Sequence, residues 1–111
     1  MQPAKLDIAQ LPASNGTLIA RLSGKLSLET VNAFLQETRA YTAEKLILDM
    51  SGVTYLDSAG VGALVQLFVH RRNQSQKLAV AALTTQGAAV LQVAGLTKLL
   101  PTFPTVEAAS A

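Results

Sequence analysis

The chain reads as an α/β domain, a sheet covered by helices, and three observations predict it. Two dense apolar runs, Leu46–Met50 and Leu78–Leu83, have the length and composition of buried strands. Segments with apolar residues three and four apart alternate with them, over Val31–Tyr41, Val61–Phe68 and Thr85–Ala94. The third is size: 111 residues make one ordinary domain, and half of them are hydrophobic, enough for a core without staples.

The elements follow in chain order. Leu6 and Ile8 alternate with Asp7 and Ala9 as in a half-buried strand. Ser14-Asn15-Gly16 supplies turn residues, and Thr17 to Leu22 resumes an apolar segment, so Lys5 to Ser23 is expected to form a hairpin. Gly24 is expected to end that strand. Ser27 then suits the N-cap of a helix running to about Thr42, with Glu29 in its first turn. Val31, Phe34, Leu35, Thr38 and Tyr41 share one face of it.

Leu46–Met50 is expected to be a central strand, broken at Ser51-Gly52 and continued as extended chain from Val53 to Leu56. From Ser58 the period becomes helical, with Val61, Leu64, Val65 and Phe68 on one stripe. With Leu67 these five side chains would contribute roughly 7–15 kcal/mol if fully buried, an upper bound. After the strand at Leu78–Leu83, Thr85 to Ala94 makes an Ala-rich helix stopped by Gly95, with Leu96 folding back. Leu99-Leu100 forms a last strand, held at the sheet edge by Pro101, and a short helix begins after Pro104.

Composition excludes several chemistries. Without cysteine there are no disulfides, no thiol catalysis and no thiolate metal site. The single histidine, His70, leaves little material for a zinc site or a Ser-His couple. A net charge of +2 is too mild to argue for nucleic acid, and Arg71-Arg72 is expected to solvate a helix end and complement its dipole. The apolar run from Val61 to Val69 is interrupted by Gly62 and Gln66, and a membrane span needs ~20 apolar residues. Met1-Gln2-Pro3-Ala4-Lys5 lacks the apolar stretch of a signal peptide, so a cytoplasmic, soluble protein is the expectation.

The informative stretch runs from Leu48 to Leu64: a buried strand, a turn, an extended arm, and Asp57-Ser58 opening a helix. Gly60 and Gly62 fall in the first turns, where each costs roughly 1 kcal/mol against better helix formers. Bare glycines also leave N–H groups open and let another surface come close. A helix N-terminus favours anions, so a phosphate on Ser58, carrying about −1.5 to −2 charges, would be tolerated there. The same group would be hard to bury against an acidic or apolar partner. By itself, however, Asp-Ser at a helix start is most often a cap.

A hydrolase reading of Ser58 lacks a base. His70 lies a dozen residues along the same predicted helix, ~18 Å of rise away. No Gly-x-x-x-x-Gly-Lys-Ser/Thr phosphate loop occurs. Asp49 and Asp57 are expected to serve the strand end and the cap.

Over Leu6 to Ala109 the chain resembles the STAS domain, specifically the stand-alone anti-sigma factor antagonists. Leu46-Ile47-Leu48-Asp49-Met50 and Asp57-Ser58-Ala59-Gly60-Val61-Gly62 match the family's strand and Asp-Ser-(Ser/Thr/Ala)-Gly-(Leu/Val)-Gly motif. Val93–Lys98 and Phe103–Ala109 are similar to its closing pattern. The resemblance implies one domain over 1–111, with its core at about 6–109. It implies a four- to five-stranded, mainly mixed sheet with about four helices.

It also implies a regulatory cycle without catalysis by the chain itself. The unmodified protein would bind an anti-sigma factor of the histidine-kinase-like ATPase fold and free a sigma factor, controlling transcription. That partner would phosphorylate Ser58 and be released, and a metal-dependent serine phosphatase would reset it. ATP would belong to the partner, and the chain would hold no cofactor or metal. Asp57, Ala59, Gly60, Val61, Gly62, Gly24, Lys25, Ser27 and Thr30 would support the phosphosite or the partner. Nucleic acid and membrane insertion are not implied, and a weak homodimer stays open.

One departure stands out: where the family often has Gly-Glu-Leu-Asp, this chain has Gly24-Lys25-Leu26-Ser27. The rim is less negative, which either weakens recognition by a family-type kinase or helps hold a phosphate. A competing reading is a non-phosphorylated STAS subunit, as in an ABC-type lipid-transport complex, with Ser58 a cap within a permanent interface.

Overall fold

The computed structural model describes residues 5–13 and 15–111; Met1–Ala4 and the turn residue Ser14 lie outside them. Strand β1 (Leu6–Pro12) and strand β2 (Thr17–Leu26) form the expected antiparallel hairpin, with Leu6 opposite Gly24 and Pro12 opposite Leu18. Asn15 and Gly16 both take positive φ, 62° and 73°, in the turn. Helix α1 (Val31–Thr38), strand β3 (Lys45–Leu56), helix α2 (Ser58–Asn73), strand β4 (Lys77–Ala81), helix α3 (Thr85–Val93), strand β5 (Thr102–Phe103) and helix α4 (Val106–Ser110) follow. The sheet order is β1-β2-β3-β4-β5, parallel from β2 onward, so it is a mixed sheet of five strands.

Side chains alternate across the sheet. Ala20, Leu22, Leu46, Leu48, Met50, Leu78 and Val80 join Phe34, Leu35, Leu64, Leu67 and Leu91 of α1, α2 and α3 in the main core. On the other face Ile47, Ala79 and Ala81 pack with Ala109 of α4 in a second, smaller core.

Four local expectations are corrected. Gly24 does not end β2: the strand runs on to Leu26, and Gly24 passes Lys5 at φ 115°, so close that a Cβ would lie 2.2 Å from the Lys5 carbonyl oxygen. Ser51-Gly52 does not break β3. The strand is continuous, and its pairing with β2 slips by one residue twice, between Asp49 and Gly52 and between Val53 and Tyr55.

Helix α1 starts at Val31, not after Ser27, because the buried Thr30 hydroxyl ties the preceding turn shut. It accepts from the Ser27 N–H (3.0 Å) and donates to the Lys25 carbonyl (2.8 Å). Glu29 sits in that turn, and the helix ends at Thr38 rather than Thr42. The last strand is Thr102–Phe103, after Pro101 rather than before it; Leu99 and Leu100 form a turn whose N–H groups donate to the Leu96 carbonyl.

One side chain read as a surface feature takes another position. Arg71 is 0% exposed, and its guanidinium donates to the carbonyls of Lys77 (2.9 Å), Tyr41 (3.2 Å) and Ala43 (2.6 Å). It therefore closes the junction of α2, β4 and the chain before β3, while Arg72 alone stays in solvent. On α2, Val61, Leu64 and Leu67 are buried, whereas Val65 and Phe68 are half-buried. Gly95 stops α3 as expected, at φ 74°, with the Leu96 N–H returning to the Leu91 carbonyl (3.0 Å).

Candidate functional site

The site is built where β3 turns into α2. Asp57 has extended backbone and caps α2: its Oδ1 accepts from the Gly60 N–H at 2.8 Å. Its Oδ2 accepts from the Leu28 N–H at 3.1 Å, so one carboxylate clamps both the helix start and the turn after β2. The Asp57 N–H in turn donates to the Leu26 carbonyl (3.4 Å). From the far side Gln86, in the first turn of α3, reaches back to Leu56. Its amide oxygen accepts from the Leu56 N–H (3.0 Å) and its NH₂ donates to the Leu56 carbonyl (2.8 Å), replacing a neighbouring strand at the end of β3.

Ser58 is the first residue of α2 and is exposed, and its hydroxyl forms no hydrogen bond among the described residues. The capping work falls on Asp57, which leaves the serine oxygen available. Gly60 and Gly62 divide their roles. Gly60 is buried against the end of β2, where a Cβ would lie 2.3 Å from the Leu26 carbonyl oxygen and 2.7 Å from Leu56 Cδ1. Its small size thus serves the fold's own close approach, and its N–H is taken by Asp57. At Gly62 an added Cβ would meet nothing within 4 Å.

Behind Ser58 an apolar groove of about 610 Å³ runs between α2 and α3. Val61, Gly62 and Val65 form one wall and Ala89, Val90 and Val93 the other, with Leu96 at the end. Val93 is 90% exposed and Leu28, on the clamped turn, 72% exposed, so large apolar side chains face solvent at both borders of the serine.

Among the other residues singled out by sequence, Lys25 is exposed, Gly24 and Ala59 are half-buried, and Ser27, Thr30 and Val61 are buried. Thr30 and Ser27 hold the turn from beneath rather than line the surface. Leu28, Gln86, Val90 and Val93 were not foreseen. Val93 carried a sequence signal, an apolar residue two after Leu91 that α3 cannot bury on the same face; Gln86 carried none.

Asp49, 4% exposed, lies on the α4 side of the sheet. Its Oδ2 accepts from Arg21 Nε (3.1 Å) and its Oδ1 from the Ser51 hydroxyl (2.7 Å) and N–H (3.0 Å). Burial pushes the carboxyl up, but the Ser51 hydrogen bonds and Arg21 outweigh it and hold Asp49 below the ordinary carboxylate range. It serves the interior of β3 rather than a strand end, because the strand runs on to Leu56. His70 is on α2 with Ser58, twelve residues and ~18 Å of helix rise away. Among the described residues no group of three His, Asp or Glu side chains could hold a metal, and no helix is long and apolar enough to cross a membrane.

Solved structures share this fold. One described as an anti-sigma factor antagonist from Mycobacterium paratuberculosis superposes with a TM-score of 0.82 at 22% identity, over 93% of this chain and 89% of that one. The anti-sigma factor antagonist SpoIIAA, in its unphosphorylated form, gives 0.77 at 18% identity, over 94% and 93%. A sulfate transporter family protein from Wolinella succinogenes gives 0.75 at 18% identity, over 85% and 81%. At these identities the likeness is one of fold. The model of the STAS domain family matches residues 9–109, nearly the whole length, and the chain belongs to that family.

Proposed function

We propose that the chain is an anti-sigma factor antagonist, a protein-binding switch controlled by phosphorylation of Ser58. Unmodified, it binds an anti-sigma factor with serine-kinase activity and frees a sigma factor; phosphorylated, it lets go, and a metal-dependent phosphatase restores it. The observation that carries this reading is the exposed, unbonded Ser58 hydroxyl at the mouth of an apolar groove. A kinase can reach that oxygen without unfolding anything, because Asp57 and not Ser58 caps the helix. The added charge is tolerated at the N-terminus of α2. Yet it lies beside Val61, Val65 and Val93, where an apolar partner surface would have to desolvate it.

The groove's composition also favours a second reading, a permanent STAS subunit that is never phosphorylated, since lasting interfaces are the more apolar ones. One experiment separates the two. The protein is isolated from its native cells with its partner, and intact mass is read with fragment mapping. Binding of Ser58→Ala and Ser58→Asp to that partner is then compared by calorimetry. The switch predicts phosphate on Ser58, retained binding by Ser58→Ala, and at least tenfold weaker binding by Ser58→Asp, or 1.4 kcal/mol. Equal binding by both variants, with an unmodified chain, would overturn the switch and favour the subunit.

A further inference from the structure

At the opposite end of α2 lies a second cavity, of about 310 Å³, unrelated to the serine. Phe68, Leu78, Pro101 and Phe103 make its walls, and Lys45, Arg72 and Lys77 stand around it. No acidic side chain lines it. The nearest acid in sequence, Glu44, extends toward Gly16 instead, where its Oε2 would lie 3.3 Å from a Cβ on that glycine. Lys45 donates to the Ala109 carbonyl, while Arg72 and Lys77 form no side-chain hydrogen bond or ion pair among the described residues. Arg71, fully buried and bonded to the Lys77 carbonyl, is a further positive charge next to Lys77.

The backbone supplies a donor at the same corner. The Lys77 N–H points toward β3, to the Glu44 carbonyl, whereas those of Val80 and Ala82 point the other way, to the carbonyls of Pro101 and Phe103. By the alternation of a strand, the Leu78 N–H faces the β5 side too. There β5 does not reach it, since its pairing covers only Val80 and Ala81.

We propose that this corner binds a single-chain aliphatic carboxylate. The carboxylate would sit against Arg72, Lys77 and the Leu78 N–H, with the tail between Phe68 and Phe103. The volume is at the small end of ligand sites, too small for a folded partner element. Apolar walls under unpaired cations match a ligand that is anionic at one end and apolar at the other. This site is independent of the Ser58 reading and stands or falls without it.

The test titrates octanoate into the full chain and follows backbone amide resonances, with acetate and 1-octanol as matched probes lacking the tail or the charge. Shifts are expected to centre on Leu78, Phe68 and Phe103, with both matched probes at least tenfold weaker than octanoate. Arg72→Gln/Lys77→Gln, which alters two exposed side chains and leaves the fold's thermal midpoint in place, is expected to weaken octanoate at least tenfold. Octanol binding as tightly as octanoate would overturn the proposal. So would unchanged octanoate binding by the double variant, or shifts centred on Val61, Val65 and Val90.

Discussion

Two glycines that look equivalent in a motif have opposite physical roles, and substitution should separate them. At Gly60 a methyl group would meet backbone, the Leu26 carbonyl at 2.3 Å, which cannot rotate away. Overpacking of this kind costs ~1–3 kcal/mol. Gly62 faces open space within the helix, so a methyl there gains helix propensity, about 0.5–1 kcal/mol. Urea denaturation of Gly60→Ala and Gly62→Ala is therefore expected to shift the midpoint in opposite directions. Two equal shifts would show that helix propensity, not the contact with β2, decides both.

Asp49 gives a second test at this scale, in pH. Its folded-state pKa lies below the ordinary value of ~3.9, so folding favours the ionised form. The stabilisation is present above that pH and is lost as pH falls through the folded value. Asp49→Asn removes the charge-assisted bond to Arg21, whose side chain is more than half exposed, so solvent screening holds its contribution to about 1 kcal/mol. The gap between the native chain and Asp49→Asn is expected to be full at pH 7 and to close on acidification below about pH 4. A gap that stays constant in acid would show that its origin is packing rather than charge.

Asp57 joins two elements, and that makes its two oxygens non-interchangeable with an amide. Oδ1 holds the start of α2 and Oδ2 holds the turn after β2, each through a backbone N–H. Asparagine has one acceptor oxygen and would turn an NH₂ toward the other donor. Asp57→Asn is expected to keep the cap of α2, lose the Leu28 bond and cost about 1 kcal/mol, with faster amide exchange at Leu28 and unchanged exchange within α2. Loss of protection along α2 instead would show that the cap, not the turn, is the weaker partner.

How far such elements can be read from sequence follows from where their partners lie. Helix α2, its Asp57 cap, the hairpin and the stop at Gly95 depend on residues within a few positions of each other, and all were legible. Gly24 and Ser51-Gly52 look like breaks because their local chemistry is that of breaks. Only the neighbouring strands, which pass through both points, show that they are a close approach and a slip in register. Arg71 has the sequence appearance of a solvated helix end, and its burial depends on carbonyls at positions 41, 43 and 77 that no local pattern brings together. The Ser58 position was legible for the first reason, and its groove and the Gln86 brace were not, for the second.

At the scale of the molecule, the site lies at the carboxyl end of β3, where parallel sheets commonly place their binding crevices. Helices α1, α2 and α3 cover the sheet face that carries the main core, and the structures around Ser58 draw only on those three helices and on the ends of β2 and β3. Helix α4 stands apart on the other face. It is five residues long, capped by the Thr105 hydroxyl and anchored by Ala109 against Ile47, Ala79 and Ala81. So small an apolar contact should open before the rest of the fold. Native-state hydrogen exchange is expected to show the Ala109 amide, which donates to the Thr105 carbonyl, exchanging at a lower opening free energy than Leu48 or Leu64. Ala109→Glu, which would force a carboxylate into that satellite core, is expected to release α4 at a cost of ~1–3 kcal/mol while the amides around Ser58 keep their protection. Exchange of Ala109 with the same free energy as Leu64 would show instead that the two faces open as one cooperative unit. A substitution on the α4 side would then reach the Ser58 region through global stability alone.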